Sequence, residues 1–371
     1  MYIGERQDID NTAPLFCECG ERVKDFAKNS SYFLSVDMEQ QFQQLLQLPE
    51  VESDILTYRF QRQKINVDAY EDIYDGAVYK NLSKPGSVLS NPFNFSYTFT
   101  TDGVSLGKST GSSVWPIWAF CNELSPKLRR KHMLFAGVWV GQKDPNMRLF
   151  LKPFVELANR LSTEGVKWTD QAGREHVSKI IPLCCVCDSG ARYKLLNMSS
   201  YTAYYGCTFC YHRAENTVQG RRFTVTTENV PLRTQESMFH DMNSAFRNRN
   251  QKDLKKRVVF GQKGPTPLVK MLHVNLNEAF VVDFMHSCLL GNVRSHVFIF
   301  LESVGKTDYY IGSPDSKFII DQRLLSIKPP KSITRNPRAL RDVKYWKASE
   351  WRSFLLYYSI VCLGGCVAKK I

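Results

Sequence analysis

The run SKIIPLCCVCD, residues 178–188, constrains this chain more than any other stretch. It is short and apolar without alternation, as expected of a strand buried on both faces in the middle of a sheet. Such a strand needs neighbours, and the residues ahead of it supply them. FSYTFTTDGV alternates and ends at Asp102, and SSVWPIWAFCNEL and HMLFAGVWVG are two further apolar runs. Two polar connections, GKSTG and SPKLRRK, separate the three, which predicts an antiparallel meander. MRLFLKPFVELANRLSTEG comes next, with apolar positions at helical spacing and Gly165 where a C-cap belongs. Pro153 should kink this helix or fall early in it. The expectation is a mixed α/β chain: three antiparallel strands, a helix, and a central fourth strand that stops at Asp188.

With 371 residues and 43% hydrophobic content, the chain can bury one large domain or two smaller ones. Residues 1–92 read as an acidic N-terminal region. It holds a short amphipathic helix at MEQQFQQLLQL and a polar linker around Lys84-Pro85-Gly86. Residues 1–94 carry nine Lys/Arg against fifteen Asp/Glu, so the overall charge of +13 rests entirely on residues 95–371. A basic body suits a polyanionic partner, because clustered cations displace counterions from phosphates. The eleven cysteines are an odd number, and MYIGERQDID has neither the basic nor the apolar region of a secretory leader. Cys184, Cys185 and Cys187 therefore read as reduced thiols buried in a strand. No run is long enough to span a membrane; Phe354–Ala368 comes nearest and is interrupted by Gly364 and Gly365.

The strand order is similar to that of the ribonuclease H-like fold, where the first and fourth strands lie side by side. On that resemblance Asp102 and Asp188 meet. Carboxylates paired at adjacent strand ends call for a cation, and Mg²⁺ (or Mn²⁺) takes one or two of them together with phosphate oxygens. Either aspartate alone reads as a turn residue, Asp102-Gly103 being a good turn signal. The run from Gly103 to Gly107-Lys108-Ser109 is not a phosphate-binding loop. It has three residues between its glycines where four are needed, and no helix follows.

Gly206-Cys207-Thr208-Phe209-Cys210 presents two thiols on one tight turn, half of a zinc site. A redox reading needs a thioredoxin-like context that this sequence lacks. His286 is the candidate third ligand, with His212 the alternative for the fourth. Cys17 and Cys19 read more simply as unlinked thiols than as the remnant of a zinc ribbon.

Together Asp102-Gly-Val, WPIWAF, Asp188-Ser-Gly-Ala-Arg192, GCTFC, VVDFMHSCLLG and RNPRALRDVKYWKASEWRSFLLYYS resemble the transposases of CACTA (En/Spm)-type elements, in their animal and insect branch. The resemblance spans about residues 68–360 and rests on order and spacing. It implies a ribonuclease H-like catalytic core with a DDE/D triad and a zinc-bearing, largely helical or irregular insertion before the last acid. The triad carries over onto Asp102, Asp188 and Glu350, with Glu302 the rival third acid; zinc carries over onto Cys207, Cys210 and His286. Residues 93–198 would open the core, 199–335 form the insertion and 336–371 bring back the catalytic helix. The chain departs from the family at both ends, which look clipped. The implied activity is metal-dependent cleavage and joining of DNA in the nucleus, by a homo-oligomer on element ends. The rivals are a catalytically inactive, transposase-derived DNA- or chromatin-binding protein and a structural zinc module.

Overall fold

The computed structural model describes residues 32–106, 113–218, 220–303 and 308–367. Cys17, Cys19 and residues 107–109 of the rejected phosphate loop lie outside them. The chain divides into two compact units, Met1–Val281 and Val282–Ile371, each with its own hydrophobic core.

The first unit is mixed α/β around a mixed central sheet. Strand β1 (Tyr32–Ser35) leads into helices α1 (Met38–Leu46) and α2 (Pro49–Gln61). Helix α1 is the expected amphipathic run: Asp37 caps it by accepting from Glu39 N at 2.8 Å, and Met38, Phe42, Leu45 and Leu46 are buried. A short helix α3 (Ala77–Leu82) precedes β2 (Phe95–Thr101), β3 (Val104–Ser105) and β4 (Ser113–Cys121). SPKLRRK, expected as a polar turn, instead contains helix α4 (Pro126–Lys131), whose first position Pro126 suits because no N–H is needed there. Strand β5 (Leu134–Gly141) completes the meander. Tyr97 faces Cys121 across β2 and β4, and Val114 faces Val140 across β4 and β5. Strand β1 adds outside β5, an edge that nothing in YFLS announced.

Helix α5 (Met147–Thr163) stands where the apolar spacing placed it, with Asn146 as its cap and Pro153 inside it. Gly165 ends the segment at φ +77, and a Cβ there would come within 2.8 Å of Ser178 O, so only glycine fits. Strands β6 (Val166–Thr169) and β7 (Glu175–Ser178) form an unforeseen hairpin. In it His176 stacks on both Phe93 and Trp168, 4.4 and 4.8 Å from their ring centres. Strand β8 (Ile180–Cys187) then runs parallel to β2, from Phe95 opposite Ile180 to Phe99 opposite Cys185. Helix α6 (Ser189–Leu195), the hairpin of β9 (Glu215–Thr217) and β10 (Gly220–Arg222), and helices α7 (Gln235–Arg247) and α8 (Leu276–Ala279) lead to β11 (Phe280–Val282). The main sheet order is β1-β5-β4-β2-β8-β11.

Strand β8 is buried on both faces. Ile180, Cys185 and Cys187 join the main core with α1 and α5, while Ile181 and Leu183 pack with Tyr74, Tyr79 and Leu89. Strand β2 departs from the usual reading of alternation, in which the polar face is solvated. Phe95, Tyr97 and Phe99 face the main core, yet Ser96 and Thr98 on its other side are buried too. They face a polar network centred on Glu123, which is fully buried. Its carboxylate accepts from Ser96 N and Ser96 Oγ at 2.8 Å each and from Tyr79 OH at 3.0 Å; Arg59 Nη1 stands 3.9 Å away. Asn122 accepts from Thr98 Oγ1 at 2.8 Å, and Tyr74 OH donates to Asn122 O at 2.6 Å.

The second unit is helical. A π-helical stretch, Met285–Val293, runs into α9 (Arg294–Glu302), followed by α10 (Pro314–Ser326). Helix α11 (Ala348–Ser353) continues through a second π-helical stretch, Phe354–Tyr358, into α12 (Ser359–Leu363). Leu289, Val297, Ile320, Leu324, Trp346, Trp351 and Phe354 build its core. The apolar C-terminal run is therefore half-buried helix up to Gly364. Among the described residues no helix is long and apolar enough to cross a membrane, and all nine cysteines are free thiols.

Burial pushes the Glu123 carboxyl above its usual range, against the opposing pull of Arg59 and the Ser96 donors. A raised folded pKa means that this group's contribution is full below about pH 4.3 and is lost as pH rises through the folded value. Glu123→Gln should flatten that pH dependence in urea unfolding. Glu123→Ala, which strands Ser96 N–H, Tyr79 OH and the Arg59 charge, should cost about 3 kcal/mol.

Candidate functional site

Because β2 and β8 are adjacent and parallel, their C-terminal ends emerge on one edge of the sheet, where open α/β sheets bind ligands. The last paired residues are Phe99 and Cys185, and Asp102 and Asp188 each follow by three, at equivalent positions. Asp102 accepts from Gly103 N at 2.7 Å and turns the chain into β3. A Cβ at Gly103 would meet the Trp115 ring at 2.6 Å, so the turn needs glycine. Asp188 caps α6, its Oδ1 accepting from Ala191 N at 2.6 Å. Both aspartates thus serve the local turn that sequence alone suggests. They also bring two carboxylates to one edge of the sheet.

Cys207 and Cys210 do come together, with their sulfurs 3.4 Å apart and Phe209 N 3.4 Å from Cys207 Sγ. Two thiolates on one tetrahedral zinc, at bonds of about 2.3 Å, sit about 3.8 Å apart, so the turn fits half of such a site. Gly206 permits it, since a Cβ there would lie 2.5 Å from Ser200 O. Burial pushes the Cys210 thiol above its usual value. His212 stands just beyond the pair, edge-on to Phe223 at 5.6 Å.

The turn rests on a residue that sequence reading missed. Arg233 is almost completely buried, and its Nε donates to Cys207 O at 3.0 Å and Cys210 O at 3.2 Å, while Nη2 donates to Phe260 O at 2.7 Å. Its guanidinium lies 4.3 Å from the Tyr211 ring centre, and Nη1 is 3.8 Å from Asp241. Desolvation lowers its pKa, which these neighbours oppose. Nothing in the local string PLRTQES marks that arginine as buried. From the other side Arg192 of α6 lies 5.2 Å over the Phe209 ring, tying the thiol turn to the helix that begins at Asp188.

The remaining candidates belong to the second unit. His286 pairs with the carboxylate of Asp283 through both Nδ1 and its backbone N–H. Burial raises the Asp283 carboxyl, but the His286 contacts outweigh it and the net shift is downward. Glu350 is mostly buried, and Arg338 holds it in a two-pronged pair, Nε to Oε1 at 2.6 Å and Nη2 to Oε2 at 2.8 Å. Lys347 N adds a third bond at 2.7 Å. Desolvation opposes these contacts but loses to them, so Glu350 is held below the usual carboxylate range. Glu302 is exposed at the last residue of α9.

Each unit thus assembles its own part: two strand-end aspartates and a thiol pair in the first, a carboxylate–histidine pair and an arginine-bound glutamate in the second. Among the described residues no group of three or more His, Cys, Asp or Glu side chains is gathered tightly enough to hold a metal ion. Compared with known protein families and with curated proteins, the chain matches none.

Replacing Arg233 with Met leaves three carbonyls without a donor and Asp241 without its cation. The cost should be about 3 kcal/mol. Cys207 and Cys210 should then react faster with a thiol reagent in the native state, measured as the rate of thiol release under non-denaturing conditions.

Proposed function

We propose that this chain is the ribonuclease H-like core of a CACTA (En/Spm)-type DDE/D transposase, which cleaves DNA phosphodiesters and transfers strands. The observation that carries this reading is the parallel pairing of β2 with β8, which sets Asp102 and Asp188 at equivalent positions on one edge of the sheet. The meander β5-β4-β2, with β8 on the far side of β2, supports it. Asp102, Asp188 and a third acid, Glu350 or its rival Glu302, would hold Mg²⁺ or Mn²⁺. Two such ions held there would supply the charge that activates an attacking oxygen and stabilises the leaving one. The protein supplies position and charge and needs no covalent intermediate.

The zinc reading extends the same proposal to Cys207, Cys210 and His286, with His212 as a fourth ligand. The Asp283 carboxylate beside His286 is the kind of partner that orients a ligating imidazole. DNA is the partner, and a homo-oligomer on element ends, in the nucleus, is the proposed working form. A second reading, a transposase-derived DNA- or chromatin-binding protein without catalysis, is favoured by one observation. Arg338 and Lys347 N already occupy both carboxylate oxygens of Glu350, so metal binding there would require Arg338 to let go.

The proposal is tested by Mg²⁺-dependent nicking of a supercoiled plasmid. Asp102→Asn and Asp188→Asn should each lower nicking roughly a hundred- to thousandfold while DNA binding persists. Glu350→Gln and Glu302→Gln, compared in parallel, identify the third acid by which one is silenced. Binding without nicking in the unaltered chain would select the second reading. Cys207→Ser with Cys210→Ser should remove zinc from the purified protein, read by metal analysis; an unaltered chain without zinc would sink that part.

A further inference from the structure

A run of cations with little counter-charge follows α7 in the first unit. Between Arg247 and Arg257 the chain carries six cations, Arg247, Arg249, Lys252, Lys255, Lys256 and Arg257, against one carboxylate, Asp253. All but the half-buried Arg257 are exposed. Asp253 offsets one of these charges at most; its Oδ1 accepts from Lys255 N at 2.9 Å and caps a short 3₁₀ turn. None of the six takes part in a salt bridge among the described residues.

The segment is held in a defined shape all the same. Asn248 Nδ2 donates to Lys256 O at 3.2 Å, and Arg257 Nε donates to Gln251 O at 2.7 Å, closing the loop on itself. Gln251 N returns to Asn248 O at 3.0 Å. These bonds fold the segment back on itself, so that its like charges are gathered on one short loop. Such crowding raises the free energy of the folded chain unless something supplies counter-charge.

We infer that this loop is a docking surface for the phosphate backbone of duplex DNA. A polyanion with evenly spaced charges suits six cations on one short loop. The segment has little with which to read or stack a base. The ring beside it, Phe246, is already covered by Arg249 at 4.1 Å. Contacts of this kind position a protein on DNA and carry no sequence preference. The inference shares its partner with the proposed function but stands on charge alone and does not depend on cleavage.

The test is binding of the full chain, without divalent metal, to a labelled duplex of unrelated sequence across roughly 50–200 mM salt. The variant is Lys252→Ala/Lys255→Ala/Lys256→Ala. A control with the same change in charge elsewhere, Lys127→Ala/Arg130→Ala/Lys167→Ala, runs beside it. The loop variant should bind on the order of tenfold or more weakly, and its plot of log affinity against log salt should be shallower by about 2–3. Its melting temperature should be unchanged or higher, since the substitutions relieve repulsion and break no ion pair. Affinity and slope equal to those of the unaltered chain overturn the assignment, and so does an equal loss in the control. Failure here leaves the nicking test untouched, and failure of nicking leaves this surface standing.

Discussion

Everything in the first unit hangs on the parallel pairing of β2 with β8. Two parallel strands cannot be joined by a tight turn, so the chain between them must travel out and back. It does so through β4, β5, α5 and the β6–β7 hairpin. Both strands are then buried on two faces, which obliges other elements to cover each side. Helices α1 and α5 cover one, with Phe42 against Tyr97 at 6.2 Å and Phe154 against Phe99 at 5.1 Å between ring centres. On the other side Tyr74, Tyr79 and Leu89 pack against Ile181 and Leu183, and Glu123 satisfies the polar side chains of β2. A buried carboxylate with this many donors is costly to disturb, because removing it strands every one of its partners at once.

The same pairing decides where the two aspartates stand. Parallel strands end on the same edge, and this chain places an aspartate just past the end of each. The aspartates double as local turn-formers, which explains why neither looks unusual alone. The thiol turn is tied to that edge through α6 and the Arg192–Phe209 contact, and Arg233 bonds its carbonyls. A buried guanidinium bonded to main-chain carbonyls holds the turn's shape whether or not a metal is bound. The cationic loop after α7 belongs to the same unit. Its charges are set on a closed backbone loop, so an anionic partner would meet a surface already in shape.

Much of this was legible beforehand. The runs ending at Asp102 and Asp188, the three-strand meander, helix α5 and its terminal Gly165 all follow from local periodicity and turn chemistry. Those signals lie within a window of ten or twenty residues, and the structure keeps them nearly residue for residue. The β6–β7 hairpin and the edge strand β1 were not legible, because short strands depend on what they pair with. Helix α4 was hidden in a basic string that reads equally well as a turn.

The sequence by itself determined the strands, the long helix, the acids at the strand ends and the CxxC turn, because each is encoded by neighbours along the chain. Tertiary structure alone decided the rest. It turned the polar face of β2 inward onto Glu123, buried Arg233 against the carbonyls of the thiol turn and bound Glu350 to Arg338. Each of these depends on a partner distant or unremarkable in sequence, and a charged side chain gives no local sign of whether it will meet water or a counter-charge. Burial is a property of the packed chain, and no single segment carries it.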